Sequence, residues 1–158
     1  MIYSLMITAG SLSAQVIREL PPFERAIAVI KHFEALHNKA EHYPYVGYGH
    51  KVLPGENLSM DMTEEEADRL LRSDLMKLCK MFSCYGQDSL LLATLAYNVG
   101  AYRLLGYDDR PKSRLIQMLD EGDRNIYREY ITFRKYKGKV IPSLELRRRM
   151  EFELLYIP

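Results

Sequence analysis

The chain has 158 residues, 47% of them apolar and 27% charged, with a formal net charge of +1. That is enough chain to bury one sizeable core, and the mixture excludes an intrinsically disordered protein. The near-neutral total hides an acidic stretch, seven Asp/Glu against two Arg from Glu56 to Asp74, and a basic one, twelve Lys/Arg against five Asp/Glu from Arg110 to Arg149. The basic stretch favours an anionic partner or forms a set of solvated helix faces.

The first fourteen residues, MIYSLMITAGSLSA, carry no charged side chain and end in small residues. Residues 1–20 therefore read as an export signal or an apolar arm, too short to span a bilayer and lacking a leading Lys or Arg. Export to the periplasm or cell envelope is the expected location, with a cytoplasmic stay until release as the alternative. Pro21-Pro22 breaks this arm from a single domain over residues 21–158.

From Phe23, the spacing Phe23, Ile27, Ile30, Glu34 predicts a helix. Residues 42–59 hold Pro44, Gly47, Gly49, Pro54 and Gly55 and predict a hairpin turning at Pro54-Gly55. Thr63 to Glu66 is a capping box opening a helix through Leu70, Leu71, Leu75 and Leu78. Asp88 starts another helix through Leu91, Leu92, Leu95 and Val99, ended by Gly100. Short helices are expected over Ser113–Leu119 and Arg124–Phe133, then a link from Tyr136 to Pro142, then a last helix from Ser143 to Tyr156. Cys79 and Cys84, five apart in a helix, point to different faces and read as packing residues rather than a disulfide. The outline is α+β, mainly α.

Glu34 stands on the apolar stripe of its helix. Partial desolvation there disfavours the charged carboxylate, and a carboxyl held protonated can donate a proton to a leaving oxygen, as in glycoside hydrolysis. The same position suits a helix-end Glu whose stem packs while its head reaches water or an Arg. Downstream, "HYPYVGYGH" (His42 to His50) alternates so that Tyr43, Tyr45, Gly47 and Gly49 share one face, where bare backbone admits a bulky ligand. Val46 and Tyr48 lie on the other face and anchor the segment.

Glu34 followed by "YVGYGH" resembles the catalytic glutamate and glycine-rich hairpin of the phage-type lysozymes, glycoside hydrolase family 24. The likeness continues through "MTEEEADRLLRSDL", "LATLAYNVGAY", "KSRLIQMLDEGD" and "YKGKVIPSLELRRRMEFELL", in order along residues 25–157. It is closest in kind to lysozyme-like proteins of Bacteroides-type bacteria. The resemblance implies a small lobe bearing the hairpin and a larger helical lobe, flanking a cleft for glycan strands. It implies cleavage of the β-1,4 bond between N-acetylmuramic acid and N-acetylglucosamine in peptidoglycan, with Glu34 protonating the glycosidic oxygen. Tyr43, Gly47, Gly49 and His50 would line the substrate. Asn98, just before Gly100, would cap a helix or hydrogen-bond across the lobe, and could also line the cleft.

The match departs from the family where a second catalytic group is expected. Members carry an Asp after the Glu and a Thr at the head of the hairpin motif. Here Tyr45 stands at the Thr position. The Asp position falls on Tyr43 or Lys39, depending on the direction of counting, and Glu41 is the only carboxylate in that interval. Glu41 could supply the second carboxylate, or His37 or His42 could orient a water. Of Arg147, Arg148 and Arg149, one is expected near Glu34 and the others in solvent or on peptidoglycan. Phe133 and Tyr136 are the candidates to replace the family's carboxy-terminal tryptophan. The departures keep two alternatives open: a lytic transglycosylase using Glu34 alone, and a peptidoglycan binder that does not cut. The expected partner is the peptidoglycan glycan strand, bound by a monomer with no nucleic acid, no stable membrane insertion, no cofactor and no metal.

Overall fold

A computed structural model describes residues 14–158; the part of the expected signal or arm before Ala14 lies outside the described residues. The chain divides into two units, one ending at Leu71 and one beginning at Arg72. Helix α1 (Ala14–Glu19) stops before the Pro21-Pro22 pair, and α2 (Pro22–Phe33) opens on proline, where the missing N–H is one the first helical turn leaves unbonded in any case. Its stripe is Ala26, Ile27, Val29 and Ile30, each 3% exposed or less. A single 3-10 turn, Ala40–His42, leads into strands β1 (Tyr45–Val46) and β2 (His50–Lys51).

The hairpin register corrects the expected turn. Val46 pairs with His50 and Tyr45 with Lys51, so the reversal is Gly47-Tyr48-Gly49 rather than Pro54-Gly55. The reason is backbone freedom: Gly47 and Gly49 take φ of +61° and +95°, conformations that L side chains rarely adopt. Pro54-Gly55 forms a separate turn in which the Glu56 N–H donates to the Leu53 carbonyl at 3.0 Å.

Helix α3 (Glu64–Met81) runs across the division between the units. Its start is the expected capping box: the Thr63 N–H donates to Glu66 Oε2 at 2.7 Å, and the Glu66 N–H donates to Thr63 Oγ1 at 3.2 Å. That backbone N–H of Thr63 lowers the Glu66 carboxyl below its ordinary value.

The second unit is built on α4 (Ser89–Val99), whose Leu91, Leu92, Ala93, Thr94 and Leu95 are fully buried. A helix apolar on every side belongs inside, and each buried leucine contributes roughly 1.5–3 kcal/mol. Asp88 precedes α4, but its carboxylate does not cap the helix. It accepts from Arg124 Nε at 2.9 Å and Nη2 at 2.8 Å instead. Around α4 lie α5 (Ala101–Leu105), α6 (Arg114–Asp120), α7 (Tyr127–Ile131) and α8 (Pro142–Leu155). The stretch expected to be a plain link contains a second hairpin, β3 (Lys135–Tyr136) with β4 (Lys139–Val140). Its two turn residues, Lys137 and Gly138, both take positive φ, 47° and 79°, as a tight primed turn requires. Phe133 is buried, as a tryptophan replacement should be, whereas Tyr136 is 62% exposed and packs no core.

Two other expectations fail on burial. Cys79 is half-buried, but Cys84 is exposed, so only one of the two free cysteines packs. Arg147 and Arg148 are 2% and 0% exposed and ion-pair with the buried Glu151, so they are not solvated, while Arg149 pairs with Glu145. Arg114 with Glu121, Lys112 with Asp120 and Arg134 with Glu145 absorb still more of the basic stretch. Internal pairing therefore answers much of the charge that seemed to call for an anionic partner.

Candidate active site

Glu34 is the first residue to leave α2. Its N–H still bonds the Ile30 carbonyl at 2.9 Å, but φ −99° and ψ 131° are extended. It caps the apolar stripe and is half-buried, not enclosed. Three residues on, His37 and Gly47 exchange two backbone hydrogen bonds, at 2.7 and 2.8 Å. This bridge ties the chain leaving Glu34 to the glycine hairpin, and it brings Gly49 against the carboxyl group. A Cβ on Gly49 would lie 3.8 Å from Glu34 Oε2 and 4.0 Å from its Cδ. The acid thus faces backbone with no side chain of its own.

The two glycines do different work, although the alternation put them on one open face. Gly47 is buried, and a Cβ there would meet Met62 Sδ at 3.4 Å and Ala67 Cα at 3.5 Å, so it serves the packing of the hairpin on α3. Val46 and Tyr48 are 0% and 6% exposed and anchor the hairpin as expected. The anchor at Tyr48 is polar as well as apolar. Its hydroxyl donates to Glu64 Oε1 at 3.1 Å, and Lys31 Nζ stands 5.0 Å from its ring centroid. Lys31 in turn pairs with Asp68 Oδ1 at 3.1 Å and Glu64 Oε1 at 3.6 Å. Burial, then the bond to Glu64, raises the Tyr48 phenol, so it stays a donor. This cluster joins α2, the hairpin apex and α3 in the first unit. The sequence held only faint signals of it: a lysine one turn before Glu34 and a tyrosine between two glycines. Replacing Tyr48 by Phe is expected to cost at least about 0.5–1.5 kcal/mol in chemical denaturation, the worth of the bond to Glu64, with the ring retained.

The residues proposed for a second role surround His37. Glu41 lies on the 3-10 turn with its side chain 74% exposed and Oε1 4.0 Å from His42 Nε2. The Lys39 N–H donates to His42 Nδ1 at 3.3 Å, which places the proton of a neutral His42 on Nε2. The His37 ring meets His42 edge-on at 5.0 Å and Tyr45 at 6.3 Å between centroids, and its Nδ1 is buried without a hydrogen-bond partner among the described residues. Tyr45 and Tyr43 are 45% and 68% exposed. His50 Nε2 lies 2.9 Å from Glu56 Oε2, which also accepts from the Leu53 N–H at 2.8 Å; this braces the Pro54-Gly55 turn. Among the described residues no group of three His, Cys, Asp or Glu is placed to hold a metal.

A model of the family described as phage lysozyme matches residues 31–151, a span that includes Glu34, the hairpin and Asn98. The chain belongs to the phage lysozyme family. As a phage lysozyme it is a glycosidase, and its substrate is peptidoglycan. No curated protein matches it significantly by sequence. Among solved structures it is similar to the endolysin from Escherichia coli O157:H7 phage FAHEc1, at 22% identity and a TM-score of 0.62, over 83% of this chain and 90% of that one. It is also similar to the active form of the P1 phage endolysin Lyz, at 13% identity and a TM-score of 0.64, over 94% of this chain and 96% of that one. At such identities the likeness shows a shared fold.

In the second unit of this lysozyme, Asn98 stands near the end of α4, where its Oδ1 accepts from Arg148 Nη2. It lines a cavity of about 410 Å³ together with Arg103, Phe133, Tyr136, Ile141 and Leu144. The expectation of a hydrogen-bonding Asn98 is met by an arginine that the sequence had seemed to leave to solvent. No helix among the described residues is long and apolar enough to cross a membrane.

Proposed function

We propose that this lysozyme is a muramidase, hydrolysing the β-1,4 bond between N-acetylmuramic acid and N-acetylglucosamine, with Glu34 as the general acid. The observation that carries this is the half-buried Glu34 carboxyl set against the bare backbone of Gly49, 3.8 Å from where a Cβ would be. A sugar can approach a glycine backbone closely, and the carboxyl beside it would protonate the bridging oxygen as the bond breaks. Glu41 or the His37–His42 pair would activate the water, and Tyr43, Tyr45 and His50 would border the sugar. The protein would act as a monomer at the cell envelope, its apolar start serving export.

A second reading rests on Glu41. The one carboxylate between Glu34 and the hairpin is an exposed group on a 3-10 turn, which suits a lytic transglycosylase needing Glu34 alone. Digestion of purified peptidoglycan, followed by borohydride reduction and chromatography of the released fragments, separates the readings. Hydrolysis at the proposed bond gives N-acetylmuramitol ends. Glucosaminitol ends would place the cut at the other bond, 1,6-anhydro ends would establish the transglycosylase, and binding without release would leave a non-cutting binder.

A further inference from the structure

Tyr102 and Tyr107 of the second unit are 59% and 64% exposed, with ring centroids 5.3 Å apart and planes inclined at 58°. Two tyrosines pushed into water as neighbours are unusual, because each ring offers a large apolar face that folding normally covers. Their backbone is tightly determined. Tyr102 lies on α5, and its carbonyl accepts from the Gly106 N–H at 3.0 Å. Gly106 takes φ +78°, and a Cβ there would come within 2.5 Å of the Arg110 carbonyl oxygen and 2.9 Å of the Lys112 nitrogen. Tyr107 and Arg110 exchange hydrogen bonds at 3.1 and 2.9 Å around Asp108-Asp109, and the Ser113 N–H closes the loop onto the Leu104 carbonyl at 2.8 Å. The ring pair therefore stands on a loop that only glycine at position 106 allows to close.

The polar groups beside the rings indicate what they would bind. Asp108, Asp109, Arg110 and Lys112 of the loop are all exposed, two of each sign, so the loop has no net charge with which to recruit a polyanion or an anionic membrane. Aromatic faces ringed by neutral-sum donors and acceptors complement a saccharide, which has a C–H face and an edge of hydroxyl and amide groups. Tyrosine supplies such contact at low entropic cost, and a fixed loop lowers that cost further.

We propose that Tyr102 and Tyr107 form a glycan-binding platform that holds a β-1,4-linked amino-sugar strand, using residues other than those assigned to cleavage. This rests on the peptidoglycan reading of the chain. The test is co-sedimentation with purified peptidoglycan sacculi in a Glu34→Gln background, so that cleavage cannot alter the polymer. Replacing both tyrosines by Ala should weaken binding by roughly tenfold, the scale of two lost aromatic contacts. Replacing both by Phe, which keeps the ring faces, should restore most of it, and soluble β-1,4 oligomers of N-acetylglucosamine should compete. Both variants should melt at the parent temperature, since neither ring is buried. Undiminished binding by the double Ala variant, or competition by free stem peptides but not by the sugar oligomers, would overturn the platform. Cleavage that survives Glu34→Gln would instead sink the assignment of the acid, leaving the binding result intact.

Discussion

Substituting Glu34 by Gln is expected to lower the rate of peptidoglycan cleavage by roughly 10²–10⁴-fold, the usual contribution of a positioned general acid. The substitution keeps the size of the side chain and its capacity to accept a hydrogen bond, but it removes the transferable proton. Glu34 follows α2, its backbone bond to Ile30 does not depend on the side chain, and glutamine keeps the side-chain volume beside Gly49. The variant should therefore remain folded by circular dichroism while turnover collapses. Activity within threefold of the parent would mean that another group supplies the proton.

The largest effect on stability should come from Glu151. It is 0% exposed, and three donors converge on it: Tyr130 Oη at 2.8 Å, Arg147 Nε at 2.8 Å and Arg148 Nη1 at 2.6 Å. Arg148 is itself fully buried and extends the network to Asn98. Burial, then the Glu151 charge, pushes the Tyr130 phenol well above its ordinary range, so it stays protonated and donates to the carboxylate. Replacing Glu151 by Gln leaves two buried guanidinium groups without the charge they were folded around. Breaking a buried pair in this way costs about 3–5 kcal/mol, a large part of the whole stability of a domain this size. Tyr130→Phe, which deletes one hydrogen bond and no charge, should cost about 0.5–1.5 kcal/mol. Urea unfolding of the two variants checks the order, and a Glu151→Gln loss below 1 kcal/mol would show that the arginines find other partners.

Much of this molecule was legible because local rules and the buried pattern agreed. The capping box at Thr63 and Glu66, the apolar spacing of α2 from Phe23 and the leucine-rich α4 each announced themselves in a few residues. The misreadings came where two local rules competed. Gly47 and Gly49 satisfied a strand alternation as well as a turn, and Pro54-Gly55 offered a rival reversal. The pairing of Val46 with His50 decides between them, and the packing of Gly47 against Met62 and Ala67 that holds it there lies beyond the local sequence. The arginine triplet had a readable partner, since Glu151 follows Arg147 by four residues and Arg148 by three on one helix face. What the sequence could not supply was burial, which turns a surface ion pair into a core network. Lys137-Gly138 is likewise a turn signal, but the strands on either side are only two residues long and carry no alternation. At the site, the pairing of acid and glycine was legible as a motif, whereas the cluster of Lys31, Tyr48, Glu64 and Asp68 that steadies it depends on which faces meet.

Digestion in water enriched with oxygen-18 tests the role of Glu34 most directly, with mass analysis of the released fragments from the parent and from Glu34→Gln. The parent should place one heavy oxygen at each new muramic acid reducing end, and the variant should release almost nothing. Heavy-oxygen fragments appearing at the parental rate from the variant would show that the bond is broken without this acid.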